Sequence, residues 1–214
     1  MEDINKIEIR GKVQKIELKM VNYKTLAQMT VETRFIYESN GEARVETTRH
    51  RVEAWENTQI KDLTKLQAGS WVRVIGRVRE KTFEGEGGKP VRYMEIYADY
   101  VKKLPDNTVD YMNKVELIGT VTNFELKIIN NKTVCNMKLL TRYVYSSKGE
   151  DVVEKTYHKI EAWTTPKIKD LAKISVGNTV KSVGRYRKKV WEKDGQKYST
   201  SEVCADGVKK ITDN

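Results

Sequence analysis

The chain repeats itself. Asn5-Lys6-Ile7-Glu8-Ile9-Arg10-Gly11-Lys12-Val13 recurs as Asn113-Lys114-Val115-Glu116-Leu117-Ile118-Gly119-Thr120-Val121, a shift of 108 residues. The same shift carries His50 onto His158, Glu53-Ala54-Trp55 onto Glu161-Ala162-Trp163, Gly76-Arg77 onto Gly184-Arg185, and Phe83 onto Trp191. About 36 of the 79 positions from 5 to 83 are identical to their partners without a gap. After one deletion, Ala98-Asp99-Tyr100-Val101-Lys102-Lys103 matches Ala205-Asp206-Gly207-Val208-Lys209-Lys210 at a shift of 107. Self-similarity at a fixed period decides the architecture before any local propensity does. The 214 residues therefore divide into two copies of one domain of about 100 residues, 1–104 and 113–214, joined by a short linker over 105–112. So short a linker keeps the copies close, and they are expected to dock side by side.

Within each copy apolar residues recur at every second position. Ile7, Ile9, Gly11 and Val13 alternate with Lys6, Glu8, Arg10 and Lys12, and Val72, Val74 and Val78 alternate with Arg73, Arg77 and Arg79. That period belongs to half-buried antiparallel strands. Turn residues at Asn40-Gly41, from Gly85 to Pro90, from Ser147 to Gly149 and at Asp194-Gly195 punctuate them. Between the third and fourth strands, Asn57-Thr58 and Thr165-Pro166 mark the start of one short helix per copy, the second as a capping residue followed by proline. Pro90, Pro105 and Pro166 lie in loops or at this start, so no strand is interrupted. The expected fold is all-β: two tandem five-stranded OB-fold barrels, each with one short helix between strands 3 and 4. The strand pattern alone also admits other small barrels.

The fourth strand concentrates charge on one parity. It reads Arg73, Arg77, Arg79, Lys81 and then Phe83 in the first copy, and Lys181, Arg185, Arg187, Lys189 and then Trp191 in the second. A ring on the same face as several cations suits a single strand of nucleic acid, whose phosphates need counter-charge and whose unpaired bases need a flat surface. On the third strand, Arg49, Arg51, Glu53 and Trp55 oppose His50, Val52 and Ala54. In the second copy Tyr157, Lys159, Glu161 and Trp163 oppose His158, Ile160 and Ala162, so both tryptophans join that face. A domain or subunit seam would also place tryptophan there. Tyr37 and Tyr145 share the core-side parity of Met29 and Val31, and of Met137 and Leu139. Turning them outward requires a kink or bulge near Arg34 or Arg142.

Composition narrows the class of partner. Forty Lys+Arg against 30 Asp+Glu, a net charge of +10, asks for a polyanion. No apolar run reaches the roughly 18 residues of a membrane span, and Met1-Glu2-Asp3-Ile4-Asn5 has neither the basic nor the apolar part of a signal peptide. A cytoplasmic, nucleoid-associated protein with no membrane partner is expected. Cys135 and Cys204 make neither a disulfide framework nor a thiolate cage. They stand where the first copy has Ala27 and Tyr97, and read as core filler. His50 and His158 fall on the apolar parity and read as packed or interface histidines. Gly85-Glu86-Gly87-Gly88-Lys89 lacks the spacing of a phosphate loop. The chain reads as a binding protein with no enzymatic activity, metal or cofactor.

Together these residues resemble the bacterial single-stranded DNA-binding proteins. The motifs are clearest in the second copy: Met112-Asn113-Lys114-Val115-Glu116-Leu117-Ile118-Gly119, Thr156-Tyr157-His158-Lys159-Ile160, Gly184-Arg185-Tyr186-Arg187-Lys188-Lys189-Val190-Trp191 and Asp194-Gly195-Gln196-Lys197-Tyr198-Ser199-Thr200. The resemblance covers nearly all of both copies. It implies OB-folds and sequence-tolerant coating of single-stranded DNA in replication, recombination and repair. It also implies four OB-folds acting together, here as a homodimer of tandem chains, similar to the two-domain form of the Deinococcus–Thermus lineage. The family's base-stacking positions fall at Tyr145, Tyr157, Trp163 and Trp191, and at Tyr37, Arg49, Trp55 and Phe83. Where the family usually has Trp before the histidine, this chain has Tyr157 and Arg49. Each stacks less tightly than Trp, and the second copy, richer in Trp and Tyr, is expected to bind more strongly. The family's usual Gly/Pro/Gln-rich tail and acidic recruiting tip have no counterpart in Lys209-Lys210-Ile211-Thr212-Asp213-Asn214. That fits an accessory, phage-type or mobile-element relative, or a removed tail. The rival expectation is an OB-fold replication or primosome accessory factor with weak nucleic-acid binding, and affinity for a single strand separates the two.

Overall fold

The structure, a computed structural model, describes residues 2–211 apart from Asp62, Gly85, Lys89, Lys148, Pro166, Lys167, Lys169, Asp170 and Asp194. It contains two compact units, one of Lys6–Asn113 and one of Met1–Asn5 with Lys114–Asn214. The first is built from β1 (Ile4–Val21), β2 (Lys24–Ser39), β3 (Glu42–Trp55), β4 (Trp71–Glu84) and β5 (Pro90–Lys103). β1 pairs antiparallel with β2 and with β4, β2 with β3, and β4 with β5. β3 runs parallel to β5, with Val52 opposite Ile96 and Ala54 opposite Ala98. This circuit, 1-2-3-5-4 and back to 1, closes the sheet into a barrel.

The second unit repeats the circuit with β6 (Met112–Ile129), β7 (Lys132–Ser147), β8 (Glu150–Trp163), β9 (Thr179–Lys193) and β10 (Gln196–Ile211). β6 closes on β9, and β8 lies parallel to β10. Five strands in this order are the OB-fold that the repeat and its turns lead one to expect. Alternate side chains fill each barrel: Ile7, Ile9, Val13, Val72, Val74 and Val78 are buried in the first, and Val115, Leu117, Val121 and Val180 in the second.

Barrel closure brings backbones together at glycines. A Cβ on Gly76 would lie 2.1 Å from the Tyr97 carbonyl oxygen, and one on Gly184 would lie 2.2 Å from that of Cys204. The β4–β5 ladder shifts register at Ile75/Gly76, and the β9–β10 ladder at Ala205/Gly207. These bulges bend the strands around the barrel.

The helix expected between the third and fourth strands is a single 3-10 turn in each unit, Leu63–Lys65 and Leu171–Lys173. The segment's role is to bury Ile60, Leu63 and Leu66, and Ile168, Leu171 and Ile174, and one tight turn suffices for that. Asn57 caps a turn: its Oδ1 accepts from the backbone N–H of Gln59 at 2.8 Å and of Ile60 at 2.9 Å. Thr165 bridges to Ile168, while Pro166 lies outside the described residues. So do Gly85 and Lys89, Lys148, and Asp194 of the three longer turns. At Asn40 and Gly41 both φ are positive, 55° and 77°, as a two-residue hairpin turn requires.

The segment between the repeats packs within the first unit. The Tyr111 ring centroid lies 4.7 Å from that of Trp71, and the Arg34 guanidinium sits 5.4 Å from the Tyr111 centroid.

Candidate nucleic-acid interface

The β2–β3 hairpin outruns its barrel. Its register is continuous from Leu26 opposite Trp55 to Ser39 opposite Glu42, and burial gives way to exposure after Thr33. No kink lies between Arg34 and Tyr37, and none is needed. Tyr37 is 40% exposed because the strand has left the core behind it, and Tyr145 on the β7–β8 hairpin is 40% exposed for the same reason. Two residues earlier, Phe35 and Tyr143 share the face of each tyrosine, with ring centroids 6.0 and 5.9 Å apart and planes within 16° and 28°. These neighbours escaped the sequence reading, although the period of two points to them.

The long β4–β5 and β9–β10 hairpins carry Phe83 and Trp191, 47% and 43% exposed. Trp191 stacks on its cross-strand partner Tyr198 at 5.9 Å and 20°. Phe83 instead meets Tyr93 edge-on at 5.6 Å, and the Arg51 guanidinium lies 4.5 Å from the Tyr93 ring centroid. Where the first unit has that cation and ring, the second has Lys159 donating to the Thr200 hydroxyl at 2.8 Å. Counting outward from the turn at Gly195 places Tyr198 opposite Trp191, a signal the sequence contained.

Arg49 and Tyr157 occupy equivalent sites in different surroundings. Tyr157 is half exposed and pairs across the ladder with Leu140. Arg49 pairs across the ladder with buried Glu32, whose carboxylate lies 3.3 Å from the Arg49 Nε and 3.1 Å from the Arg34 guanidinium.

The fourth-strand cations all face carboxylates. Arg73 donates to Glu8 at 2.8 Å, and Lys181 lies 2.6 Å from Glu116. Arg77 and Arg185, largely buried, approach Asp99 at 3.4 Å and Asp206 at 3.7 Å. Arg79 bridges Glu53 at 2.6 Å and Glu95 at 2.7 Å, and Lys81 closes the ring onto the same two carboxylates. Arg187, Lys189, Glu161 and Glu202 repeat this quartet, with Arg187 2.7 Å from each carboxylate and Lys189 2.5 Å from Glu161. Two cations and two carboxylates leave each quartet neutral.

The tryptophans of the third strand are tied to these quartets. The Trp55 indole N–H donates to Glu53 at 3.0 Å and that of Trp163 to Glu161 at 3.1 Å. Both rings are half-buried. Burial alone would raise the carboxyl pKa of Glu53, but hydrogen bonds from Lys81 and Trp55 and the charges of Arg79 and Lys81 outweigh it and lower it. Glu161 is lowered in the same way by Lys189, Trp163 and Arg187. Of the residues singled out in the sequence, the structure thus joins Trp55, Arg79 and Lys81 through Glu53, and Trp163, Arg187 and Lys189 through Glu161. Phe83 and Trp191 meet Tyr93 and Tyr198 on the β4–β5 and β9–β10 hairpins, and Tyr37 and Tyr145 lie on the β2–β3 and β7–β8 hairpins.

Buried His50 and His158 hold the Oγ1 of Thr33 and Thr141 at 2.9 Å through Nε2. Among the described residues no group of three or more His, Cys, Asp or Glu could hold a metal ion, and no helix is long and apolar enough to cross a membrane.

Curated protein sequences include no significant match to this chain. Solved structures include two that match along its whole length. A deletion variant of the single-stranded DNA binding protein from Thermus aquaticus superposes with a TM-score of 0.76 at 16% identity, covering 100% of this chain and 97% of its own. The wild-type protein from Thermus aquaticus gives 0.75 at 15% identity, with 100% and 96% covered. At these identities they bear on the fold, which they share across both barrels. The model of the single-strand binding protein family matches twice, over residues 4–104 and 112–211. With both repeats matched almost from end to end, the chain belongs to the single-strand binding protein family.

Proposed function

We propose that the protein coats single-stranded DNA without regard to sequence, each of the two modules, 1–104 and 113–214, offering rings for base stacking and cations for phosphates. Family membership supplies the ligand class, single-stranded DNA. The observation that carries the mechanism is the set of exposed rings at equivalent positions of both units, Phe35 and Tyr37 with Tyr143 and Tyr145, and Phe83 with Trp191, the last two each packed on a tyrosine of the paired strand, Tyr93 or Tyr198. Every base has a π-face, so stacking at about 1–3 kcal/mol per base binds without reading sequence. The wider cationic surface, net +10, adds affinity through counterion release. Duplex DNA keeps its bases stacked on one another and offers these rings nothing. No catalytic step is involved, and the protein acts stoichiometrically on DNA in the cytoplasm. Two barrels per chain make a homodimer with four barrels the assembly that wraps the strand.

A tryptophan-fluorescence titration with an unstructured oligonucleotide of about 60 nucleotides, a few OB-fold site sizes, tests the reading against a duplex of equal length at two salt concentrations. Deep quenching by the single strand alone, weakening with salt, is expected. Trp191→Ala should lower affinity by about 1–3 kcal/mol with its melting temperature unchanged. Weak binding with little quenching would point instead to an accessory factor that works through protein contacts.

A further inference from the structure

Glu53 and Glu161 each accept from three donors: an indole, a guanidinium and an ammonium. Glu161 Oε1 takes the Trp163 indole N–H at 3.1 Å and the Arg187 Nη2 at 2.7 Å, and its Oε2 takes the Lys189 Nζ at 2.5 Å. Glu53 makes the same three bonds to Trp55, Arg79 and Lys81. Both carboxylates are buried among these groups, and both quartets are completed by a second carboxylate, Glu95 or Glu202, that bonds the cations. The arrangement is conserved between repeats that differ at more than half of their positions.

Two consequences follow. A phosphate reaching Arg187 would have to displace two carboxylates and leave both buried and sharing Lys189, which is unfavourable. The quartet cations are therefore poor phosphate ligands, despite lying on the parity of Trp191. The indole, in contrast, is fixed at its polar edge, so its plane cannot rotate about the side-chain bonds without losing a charge-assisted hydrogen bond.

We propose that Glu161 and Glu53 are positioning residues for DNA binding, holding the Trp163 and Trp55 indoles in a set orientation for stacking, with the strand-four cations serving to anchor these carboxylates. This rests on the reading of these faces as the single-strand site. It goes beyond that reading in naming acidic residues, of the same sign as the ligand, as necessary for affinity.

The sign of one substitution separates the alternatives. Glu161→Gln removes a negative charge and releases Arg187 and Lys189, so simple electrostatics requires tighter binding. A glutamine keeps one oxygen, and that one uncharged. Turned to the indole and Arg187 it sets its NH2 against the Lys189 ammonium, and turned to Lys189 it leaves the indole facing a donor. Either way the charge-assisted indole bond is weakened or lost, so a positioning role requires weaker binding. In the full chain, Glu161→Gln is expected to bind a 60-nucleotide thymidine oligonucleotide several-fold more weakly than the unchanged protein. Glu202→Gln makes the same change in charge, and its carboxylate pairs with the cations and not the indole. It is expected to bind at least as tightly as the unchanged protein. Trp163→Phe, which lacks the indole N–H, should remove any further effect of Glu161→Gln, since coupled residues are non-additive. The indole N–H resonance of Trp163 in the free protein provides a readout without DNA, and it should move upfield in Glu161→Gln but not in Glu202→Gln. Equal or tighter binding by Glu161→Gln, equal losses in both variants, or an unmoved indole resonance would each overturn the proposal. Failure of the unchanged protein to bind the oligonucleotide would instead overturn the stacking function, and the resonance would still decide whether Glu161 holds the ring.

Discussion

His50 and His158 are the residues through which the fold senses acid first. Burial lowers His50 to about 4 and His158 to about 3, against about 6.5 in an unfolded chain. Folded, both stay neutral and hydrogen-bonded to threonine. Unfolded, both take up protons as pH drops below about 6.5. The unfolded state then binds more protons, so stability is full above that pH and declines toward about 4 for His50 and about 3 for His158. Between these limits each histidine costs roughly 1.4 kcal/mol per pH unit, about 3 for the pair. The lowered carboxyls of Glu53 and Glu161 act in a separate window, losing their contribution only below the usual carboxylate range. Melting temperatures should therefore be level from pH 7.5 to about 6.5 and fall steadily from there down to 4.5. His158→Gln, which can still bond Thr141 and cannot titrate, should halve the slope. A slope unchanged in that variant would remove the histidines from the account.

At the scale of elements, strands four and nine work through three kinds of position: valines into the core, cations onto carboxylates, and a glycine where another backbone passes. The glycine is the most exacting. An alanine at Gly76 or Gly184 would put its Cβ 2.1 or 2.2 Å from a carbonyl oxygen, and only a backbone shift relieves that. Gly76→Ala and Gly184→Ala should each cost at least the upper end of the roughly 1–3 kcal/mol of overpacked cores, read as a fall in denaturant midpoint. Gly207→Ala, with nothing within 4 Å of the added carbon, is the control and should stay within about 0.5 kcal/mol, as surface changes usually do. The strands themselves were legible in the sequence, because alternation in Ile7–Val13 or Val72–Val78 is a property of each segment alone. The helix was not. Asn57 and the apolar Ile60, Leu63 and Leu66 are compatible with either a helix or one 3-10 turn, and only the depth of the core decides. The strand-four cations were read with correct parity, but their carboxylate partners were invisible. Glu53 and Glu95 come together only when β3 and β5 pair in parallel, a contact that no local pattern announces. The outward position of Tyr37 was likewise hidden, because its parity is that of the core while its distance from the core is set by hairpin length.

Across the whole molecule, the repetition that made the architecture legible also shows where the copies have diverged, and the divergence comes in matched pairs. Cross-strand partners Leu140 and Tyr157 in the second unit correspond to Glu32 and Arg49 in the first. An apolar residue beneath an exposed ring has been replaced by a buried carboxylate beneath a guanidinium. A buried carboxylate needs counter-charge, and Arg49 supplies part of it beside Arg34, so the pair reads as a single change. Its effect on binding follows from what each side chain is free to do. Tyr157 is half exposed, whereas Arg49 and Arg34 both lie against Glu32. Tyr157→Ala should therefore weaken single-strand binding by about 1–3 kcal/mol, the value of one stacked base. Arg49→Ala should cost well under 1 kcal/mol, in the range of an exposed ion pair. Exchanging the pair, Glu32→Leu with Arg49→Tyr, should give the first unit the second's surface and tighten binding in the same titration, while Arg49→Tyr alone leaves Glu32 with Arg34 but without Arg49 and lowers the melting temperature. If Arg49→Ala costs as much as Tyr157→Ala, the guanidinium leaves its carboxylate for a base, and the two barrels hold DNA with equal strength by different means.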